Sequence, residues 1–324
     1  MKIQLRDFFL LAATFGAANI SSTNSIAQTP SASAFIVIDH HSGHVLKEFN
    51  ANKKLQVASL TKIATAVVVL DWANASGQNL DQLATVPTLR PELANTQGIQ
   101  WSPGDRVSLK DLLYAALLQS DNVAAETLSS HVGRALSGGK DPELHGLSFI
   151  SQMNALARKL DMSDTRFLNP HGLESLERKL PYSTAEDIAK LSAYAMSNPA
   201  FLFIVSQKER KITLQKADTS KLDYKLVNTN QLVGKSSIDG IKTGTTKRAG
   251  ECVAISAARS PETRKDGATF FITPRRLEVV VLGSSNRFPE AEALLQEGWT
   301  QHEAWVAAGR PETPRPQKRS KLGF

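Results

Sequence analysis

Segments typical of β-strands lie at both ends of this 324-residue chain, and helical segments occupy its middle. Near the N-terminus, Ala34–Asp39 and Val45–Phe49 are rich in apolar residues and flank a turn that contains Gly43. Strand character returns after the helical block in four segments: Lys211–Leu214, Gly240–Thr246, Cys252–Ala258 and Glu278–Gly283. One sheet can use strands from both ends only if the helical block is an insertion. We therefore expect a discontinuous α/β domain.

The middle of the chain shows helical periodicity. Within Ser59–Ala73, the apolar residues Ile63, Ala66, Val67 and Leu70 recur at the spacing of one helix face. Further helices are predicted over Leu109–Val132 with a break near Ser120, Phe149–Leu160, Ile188–Met196 with Ser183 as its cap, and Pro289–Gln301. Loops are predicted over Ala75–Gly98 and Ser137–Gly146. This layout places one domain over residues 28–308, with a helical subdomain inserted at roughly 75–205.

The net charge of +7 is concentrated at the C-terminus. Residues 309–324 hold five basic residues, one acidic residue and three prolines, which predicts a disordered basic tail. The rest of the chain is nearly neutral, and aromatic residues make up only 6% of the sequence, so a nucleic-acid groove is not expected. The single cysteine, Cys252, excludes an internal disulfide, and its apolar strand predicts burial in the core.

The N-terminus has the pattern of a secretory signal. Lys2 and Arg6 precede the uncharged, mainly apolar stretch Phe8–Ala18, and the small residues Ser25 and Ala27 offer a cleavage site. A bilayer-spanning helix needs about 20 apolar residues, which this stretch does not reach. The alternative is a buried N-terminal helix. We expect residues 1–27 to be removed and the mature protein to be periplasmic or extracellular.

Three histidines share the first turn, which raises the question of a metal site. His40, His41 and His44 have no acidic residue at a spacing known for metal ligands. Solvated histidines in turns are more common than such sites. We therefore predict no metal here.

Three short motifs occur in a fixed order along the chain: Ser59-Leu60-Thr61-Lys62, Ser120-Asp121-Asn122 and Lys242-Thr243-Gly244. The first two are weak alone, because Ser137 and Lys140 repeat the Ser-x-x-Lys spacing and Ser-x-Asn also recurs elsewhere. Together, in this order and in suitable local structure, they are far more specific.

Ser59 and Lys62 lie three residues apart at the start of a predicted helix, so their side chains share one face. Burial lowers a lysine pKa, and a neutral amine beside a serine hydroxyl makes that serine a nucleophile. The alternatives are an N-cap role for Ser59 and a solvated surface amine for Lys62.

The other two motifs suit a substrate-binding cleft. Ser120 fits a proton-relaying hydroxyl and Asn122 a substrate-binding amide in a turn between helices; the alternative is a plain polar turn. Lys242, with the hydroxyls of Thr243 and Thr245, suits a carboxylate, and Gly244 leaves room for close approach of a substrate added as a strand. The alternative is an edge strand with a surface lysine.

These motifs resemble those of the serine D-alanyl-D-alanine carboxypeptidases, the low-molecular-mass penicillin-binding proteins. The likeness runs from about Ala34 to Gln301 and includes Val57–Ile63, Trp101–Asp105, Asn169–Leu173, Asn228–Asn230 and Asp239–Gly244. The resemblance implies a β-lactamase/transpeptidase-like α/β fold, in which an antiparallel sheet is flanked by helices and carries an inserted all-helical subdomain.

The resemblance also implies the roles of the site residues. Ser59 is then the acylated nucleophile, Lys62 its base and Ser120 a proton relay. Asn122, Lys242, Thr243, Gly244 and Thr245 bind the substrate, and the backbone N–H groups of Ser59 and Thr245 form an oxyanion hole. The implied substrate is a peptidoglycan stem pentapeptide that loses its terminal D-alanine, with β-lactams as covalent inhibitors and with no metal or cofactor.

Several alternatives share these motifs. A D,D-endopeptidase that cuts cross-links has the same residues, and short relatives without a C-terminal β domain include such enzymes. A class A β-lactamase needs a glutamate four residues before Asn169, where this chain has Thr165. A non-catalytic penicillin-binding sensor is a third possibility. A nucleotide site at Gly234-Lys235-Ser236 lacks the glycine required at position 229.

The chain departs from the family pattern at several positions. Asp121 replaces the glycine found in many members, and Thr245 replaces their histidine. Arg287 is placed either near a substrate carboxylate or on the surface, and His171 is interpreted as structural. The chain has no amphipathic anchor after Gln301, so membrane or wall contact is expected at most through the basic tail.

Overall fold

The structure is a computed structural model that describes residues 31–90, 93, 98–139, 141–174, 180–266 and 269–311. Its strands are β1 (Ala34–Asp39), β2 (Val45–Phe49), β3 (Leu83–Thr85), β4 (Arg106–Ser108), β5 (Glu209–Gln215), β6 (Lys221–Val227), β7 (Ile238–Thr246), β8 (Gly250–Asp266) and β9 (Thr269–Ser284). Its helices are α1 (Thr61–Ser76), α2 (Leu109–Leu118), α3 (Asn122–Leu136), α4 (Pro142–Lys159), α5 (Ala185–Met196), α6 (Pro199–Val205) and α7 (Arg287–Ala307). The predicted signal segment and most of the basic tail lie outside the described residues.

The larger sheet joins the two ends of the chain. Its strand order is β2-β1-β9-β8-β7, and its neighbouring strands are antiparallel. β1 pairs with β9 in a register that places Ile36 opposite Val280, although about 240 residues separate them in sequence. The expected antiparallel sheet built from both ends of the chain is confirmed.

Both faces of this sheet are buried. All six residues of β1 are buried. Phe35 and Val37 belong to an apolar cluster shared with Trp299 of α7, whereas Ile36 and Ile38 belong to the cluster that contains α1, α2 and α5. Alternate residues of a strand point to opposite faces, so one strand links two helical layers. Full burial of each such side chain contributes about 1.5–3 kcal/mol.

A second, four-stranded sheet lies beside the helical block. Its order is β3-β4-β5-β6, and β3 and β4 come from the region expected to be all-helical or loop. Each of these two strands has three residues, of which only Ala84 and Val107 are fully buried. Strands this short show no readable alternation, so β3 and β4 carry too little signal to be predicted. β5 was predicted over Lys211–Leu214, whereas β6, in which charged residues alternate with Leu222, Tyr224 and Leu226, was missed.

Helix boundaries were predicted well where capping was clear. The expected break near Ser120 is present, because α2 ends at Leu118 and α3 begins at Asn122. α4 begins seven residues before the predicted Phe149, since Asp141 accepts a hydrogen bond from the Glu143 amide and Pro142 occupies the first turn. The cap of α5 is Thr184, not Ser183: the Thr184 hydroxyl accepts from the Asp187 amide at 3.0 Å.

Within the described residues, no single helix has the length and apolar composition needed to cross a membrane. The consecutive helices α5 and α6 reach the required length and composition only when they are counted together across a bend of 105°.

Replacing either of two helix glycines by alanine should change the free energy of unfolding, and the two changes should have opposite signs. A Cβ at Gly133 of α3 would lie 2.0 Å from the backbone oxygen of His145 in α4, whereas a Cβ at Gly146 would meet nothing within 4 Å. We expect Gly133→Ala to lower the free energy of unfolding by about 1–3 kcal/mol, because two helix backbones must separate. Gly146→Ala should raise it by about 0.5–1 kcal/mol. Urea unfolding measures both, and equal effects would contradict this packing.

Candidate active site

Ser59 lies in a single 3-10 turn, Ala58–Leu60, that leads directly into α1. Lys62 follows one turn later, and its Nζ lies 2.8 Å from Ser59 Oγ. The N-cap alternative for Ser59 is wrong, because no side chain caps α1. The surface alternative for Lys62 is also wrong, because its side chain is fully buried. The predicted pairing of hydroxyl and amine is therefore present.

The lysine amine has three neighbours. Besides Ser59, Nζ donates to Asn122 Oδ1 at 2.7 Å and to the backbone oxygen of His171 at 2.9 Å. Amide and carbonyl oxygens only accept hydrogen bonds, while a serine hydroxyl also donates. A neutral amine has two N–H groups and one lone pair. The two oxygens take the N–H groups, so the lone pair faces the Ser59 hydroxyl.

Because the Lys62 amine is buried, its neutral form is populated near neutral pH. Desolvation lowers the pKa of Lys62 to about 7, and the nearby Asp121 carboxylate partly offsets this by raising it. Asp121 is itself buried, which raises the pKa of its carboxyl group. Its oxygens accept from the Ala124 amide at 2.8 Å and from Trp101 Nε1 at 3.1 Å. The aspartate that departs from the family pattern thus acts on the lysine through its charge.

The second motif occupies the sharp break between α2 and α3. Ser120 has a φ of +64°, in the left-handed region, and Asp121 is the N-cap of α3. This conformation places Asn122 at the first turn, with its Oδ1 against Lys62 Nζ. Among the described residues, the Ser120 hydroxyl has no hydrogen-bond partner. It is free to bond a substrate.

The third motif lies on β7, which is an edge strand of the large sheet. Lys242 is only 1% exposed, so the surface-lysine alternative is wrong. Its Nζ donates to the backbone oxygen of Thr243 at 3.0 Å. Burial first, and then the charges of Lys62 and Arg287, lower the pKa of Lys242 well below its ordinary value. An anionic ligand would reverse that effect by favouring the charged amine.

Thr243 fixes this strand to the helical block. Its Oγ1 lies 2.7 Å from Thr229 Oγ1, and Thr229 donates through both its amide and its hydroxyl to the backbone oxygen of Leu118 at the end of α2. The second and third motifs are therefore connected through one threonine. The sequence motifs predict no role for Thr229 in the site.

Gly244 brings β7 against the serine turn. A Cβ at this position would lie 2.9 Å from the Ser59 backbone nitrogen and 3.1 Å from the Val57 oxygen. Next to it, Thr245 is exposed, and its hydroxyl accepts from Arg287 Nη1 at 2.6 Å. The same Nη1 donates to the Gly244 oxygen at 3.0 Å. Arg287 therefore lies at the site and holds the end of the motif.

His171 takes part through its backbone, which sequence reasoning missed. Its carbonyl accepts from Lys62, while its buried ring accepts from the Leu173 amide through Nδ1 at 3.1 Å. Burial lowers the pKa of the imidazole to about 3. A Cβ on the neighbouring Gly172, whose φ is +83°, would lie 1.9 Å from the Ala58 oxygen. A carbonyl contact leaves no side-chain signature; only the turn-forming Asn-Pro-His-Gly pattern signalled this loop.

Two other predicted features lie away from this site. Cys252 is fully buried, as expected, and desolvation raises the pKa of its thiol to about 11. The expectation of solvated turn histidines is wrong for His40, whose side chain is only 8% exposed and bonds the buried Glu278 through Nδ1 at 2.7 Å. The described part of the chain contains no group of three or more His, Cys, Asp or Glu side chains that would hold a metal ion.

This structure belongs to the class of active-site-serine, penicillin-recognising proteins. Its serine lies beside a buried lysine, the Ser-x-Asn motif lies on one side of that pair, and the Lys-Thr-Gly motif lies on a sheet edge. The sequence model of the family described as D-alanyl-D-alanine carboxypeptidase matches residues 20–265. The chain belongs to that family.

Similar proteins agree with this assignment. The chain is 34% identical to the D-alanyl-D-alanine carboxypeptidase DacC of Escherichia coli over 84% of its length, and it spans 62% of that relative. It is 32% identical to a D-alanyl-D-alanine endopeptidase of Pseudomonas aeruginosa, over 70% of this chain and 67% of the relative.

Solved structures show the same fold. The Streptomyces K15 DD-transpeptidase matches with a TM-score of 0.70 and 26% identity, over 85% of this chain and 98% of its own. The ampicillin-bound penicillin-binding protein D2 of Listeria monocytogenes matches with a TM-score of 0.63 and 30% identity, over 84% of this chain and 98% of its own.

The electrostatics of the site predict a titration. With ¹³C-labelled lysine, the Lys62 ε-carbon should titrate with a midpoint near 7. In Asp121→Asn the midpoint should fall, because the carboxylate that raises this pKa is gone. The Lys62→Arg variant assigns the resonance. A Lys62 midpoint above about 9 would be incompatible with a buried neutral amine.

Proposed function

We propose that this protein is a serine D-alanyl-D-alanine carboxypeptidase that removes the terminal D-alanine of peptidoglycan stem pentapeptides. The observation that carries the proposal is the 2.8 Å contact between Ser59 Oγ and the buried Lys62 Nζ, with the amine's other two neighbours being pure acceptors. That geometry leaves the lysine lone pair aimed at the hydroxyl proton. The proposal assigns a role to each predicted site residue.

Acylation begins with transfer of the Ser59 proton to Lys62 Nζ as Oγ attacks the carbonyl carbon of the penultimate D-alanine. The carbonyl oxygen becomes an oxyanion, which the backbone N–H groups of Ser59 and Thr245 stabilise. The closeness of Gly244 to the Ser59 nitrogen supports this pairing. The proton on Lys62 then passes, through the Ser120 hydroxyl, to the leaving nitrogen. The C–N bond breaks, free D-alanine departs and Ser59 carries an ester.

Deacylation repeats the sequence with water. Lys62, neutral again, accepts a proton from a water molecule that attacks the ester carbon. The oxyanion hole holds the charge, the C–O bond to Ser59 breaks and the proton returns to Oγ. The shortened stem peptide leaves with a free carboxyl group. Because the pKa of Lys62 is lowered to about 7, the neutral, basic form of the amine increases as pH rises through 7.

The free edge of β7 and the Ser120-Asp121-Asn122 motif bind the substrate. An extended stem peptide pairs along the free edge of β7, which ends the sheet. Its terminal carboxylate meets the Thr245 hydroxyl and the Lys242 amine, whose charged form the anion favours. The Thr243 hydroxyl joins them when it exchanges its bond to Thr229 for one to the carboxylate. The Asn122 amide nitrogen remains available for a substrate carbonyl, since Oδ1 is used by Lys62.

A D,D-endopeptidase acting on cross-links is the second candidate. The similarity to the Pseudomonas aeruginosa endopeptidase favours it, at 32% identity. A β-lactamase is disfavoured, because the hydroxyl of Thr165, at the position of the class A glutamate, is bonded to Ser183 at 2.7 Å and Asp187 at 2.8 Å. The N-terminal signal pattern supports action outside the cytoplasm, on the cell wall.

Intact-mass analysis after penicillin treatment tests the nucleophile. We expect one adduct on the wild type and none on Ser59→Ala, because the attacking oxygen is lost. Ser137→Ala is the matched control, since Ser137 begins the other Ser-x-x-Lys spacing, and it should form the adduct at the wild-type rate. The rate should rise with pH through about 7. An adduct on Ser59→Ala would refute the assignment.

The substrate is tested by comparing two products. Incubated with pentapeptide muropeptides, the wild type should release free D-alanine. With purified cross-linked dimers, loss of the dimer should be at least about tenfold slower, which corresponds to about 1.4 kcal/mol in the barrier. Ser59→Ala should do neither. Faster cleavage of the dimer would replace the carboxypeptidase proposal with the endopeptidase alternative.

A further inference from the structure

The paired strands β8 and β9 extend well beyond the sheet that contains them. They are 17 and 16 residues long. β7 pairs with β8 only as far as Ala257, and β1 pairs with β9 only from Leu277 onward. Past these residues, β8 and β9 pair with no other strand of the described part of the chain. The result is a two-stranded finger that projects from the domain.

The far end of this finger carries exposed apolar side chains. Phe270, Phe271 and Ile272 are 61%, 45% and 65% exposed. Successive residues of a strand point to opposite faces, so Phe270 and Ile272 share one face and Phe271 occupies the other. Both faces of the tip are therefore apolar. An exposed apolar cluster promotes aggregation unless a partner covers it.

Basic side chains accompany each aromatic ring. In the register of the finger, Arg264 lies opposite Phe271 and Lys265 lies opposite Phe270. The Arg264 guanidinium is 4.7 Å from the ring centroid of Phe271, and Lys265 Nζ is 5.5 Å from that of Phe270. Of the five basic residues between positions 259 and 276, Arg259, Arg275 and Arg276 are ion-paired nearer the domain. Arg264 and Lys265 lie at the tip, where Asp266, 3.8 Å from the Arg264 guanidinium, is the one acidic residue among the described residues. Apolar side chains with cationic neighbours match the boundary between acyl chains and anionic headgroups.

We propose that this tip, defined as Arg264, Lys265, Phe270, Phe271 and Ile272, inserts into the surface of a bilayer that contains anionic phospholipid. The two-sided distribution favours a membrane over a protein partner, because a protein covers one face of a strand pair whereas a lipid surface surrounds a tip on every side. Long basic side chains can extend from the rings to the headgroups.

The position of the tip determines how far Ser59 lies from the bilayer. β8 begins at Gly250, which pairs with Thr246 at the end of β7 that follows the Lys-Thr-Gly motif, and it ends at Asp266 near the tip. At about 3.3 Å per residue, the strand separates the two ends by at most about 50 Å. Membrane contact at the tip therefore holds the catalytic serine tens of ångströms from the bilayer, on the side where a wall polymer lies. This consequence rests on the proposed function; the membrane contact does not.

Sedimentation with vesicles of phosphatidylglycerol and phosphatidylcholine tests the proposal on the full chain. The wild type should co-sediment with them, and Phe270→Ser/Phe271→Ser/Ile272→Ser should reduce its partition coefficient at least about tenfold. Arg264→Gln/Lys265→Gln should reduce it at least about fivefold, and only when phosphatidylglycerol is present.

The matched control removes three apolar side chains of similar exposure elsewhere on the surface. Leu144, Leu147 and Phe203 are 45%, 63% and 59% exposed on α4 and α6, and their change to serine should leave vesicle binding unchanged. Penicillin acylation and the thermal unfolding midpoint check that each variant is folded. Failure of acylation in the wild type would count against the enzyme assignment alone and leave the vesicle result standing.

Two outcomes would overturn the membrane proposal. Wild-type protein that stays in the supernatant would refute it. A serine variant of the tip that binds vesicles like the wild type would also refute it, because another segment, such as the basic tail, would then be the one that binds. Size-exclusion chromatography covers the remaining possibility. A wild-type dimer that the tip variant converts to monomer, without vesicle binding, would assign the tip to a second copy of the chain.

Discussion

The burial of the Lys62 amine is the constraint on which the rest of this structure depends. Lowering its pKa from 10.5 to about 7 corresponds to a cost on the order of 5 kcal/mol near neutral pH. Between those two values the unfolded lysine holds a proton that the folded one does not, so this contribution to stability improves as pH rises from 7 to 10.5. The apolar packing of α1 must offset the cost, and most of that helix is buried. In return, the fold gains an amine that can take up a proton.

The discontinuous architecture explains why three distant motifs meet. Strands from the two ends of the chain form one sheet, α5 packs against its strands β1 and β9, and the turn that contains Ser59 contacts β7. The helical insertion supplies the turn that places Asn122 against Lys62, and the return of the chain to the sheet makes β7 an edge strand beside Ser59. Thr229 joins the insertion to that edge through Thr243 and the Leu118 carbonyl. The cleft is thus held together by hydrogen bonds between parts that are remote in sequence.

The large sheet has two ends of different character. At one end, the buried amines of Lys62 and Lys242 and close backbone contacts lie around the Ser59 hydroxyl. At the other, β8 and β9 leave the sheet and expose Phe270, Phe271 and Ile272. The same two strands contribute Val253, Val279 and Val281 to the core beneath α7.

The sequence by itself determined the strands of the large sheet, most of the helices, the break at Ser120, the burial of Cys252 and the three motifs, because periodicity, turn residues and motif spacing all act within short windows. Only the tertiary structure decided that Lys62 and Lys242 are both buried, that the His171 carbonyl accepts from the Lys62 amine, that Arg287 bonds Thr245 and that a second sheet forms from β3 to β6. These features depend on contacts between residues far apart in the chain, several of them through backbone atoms that every residue shares. Local sequence therefore carries no signal for them, and packing alone selects them.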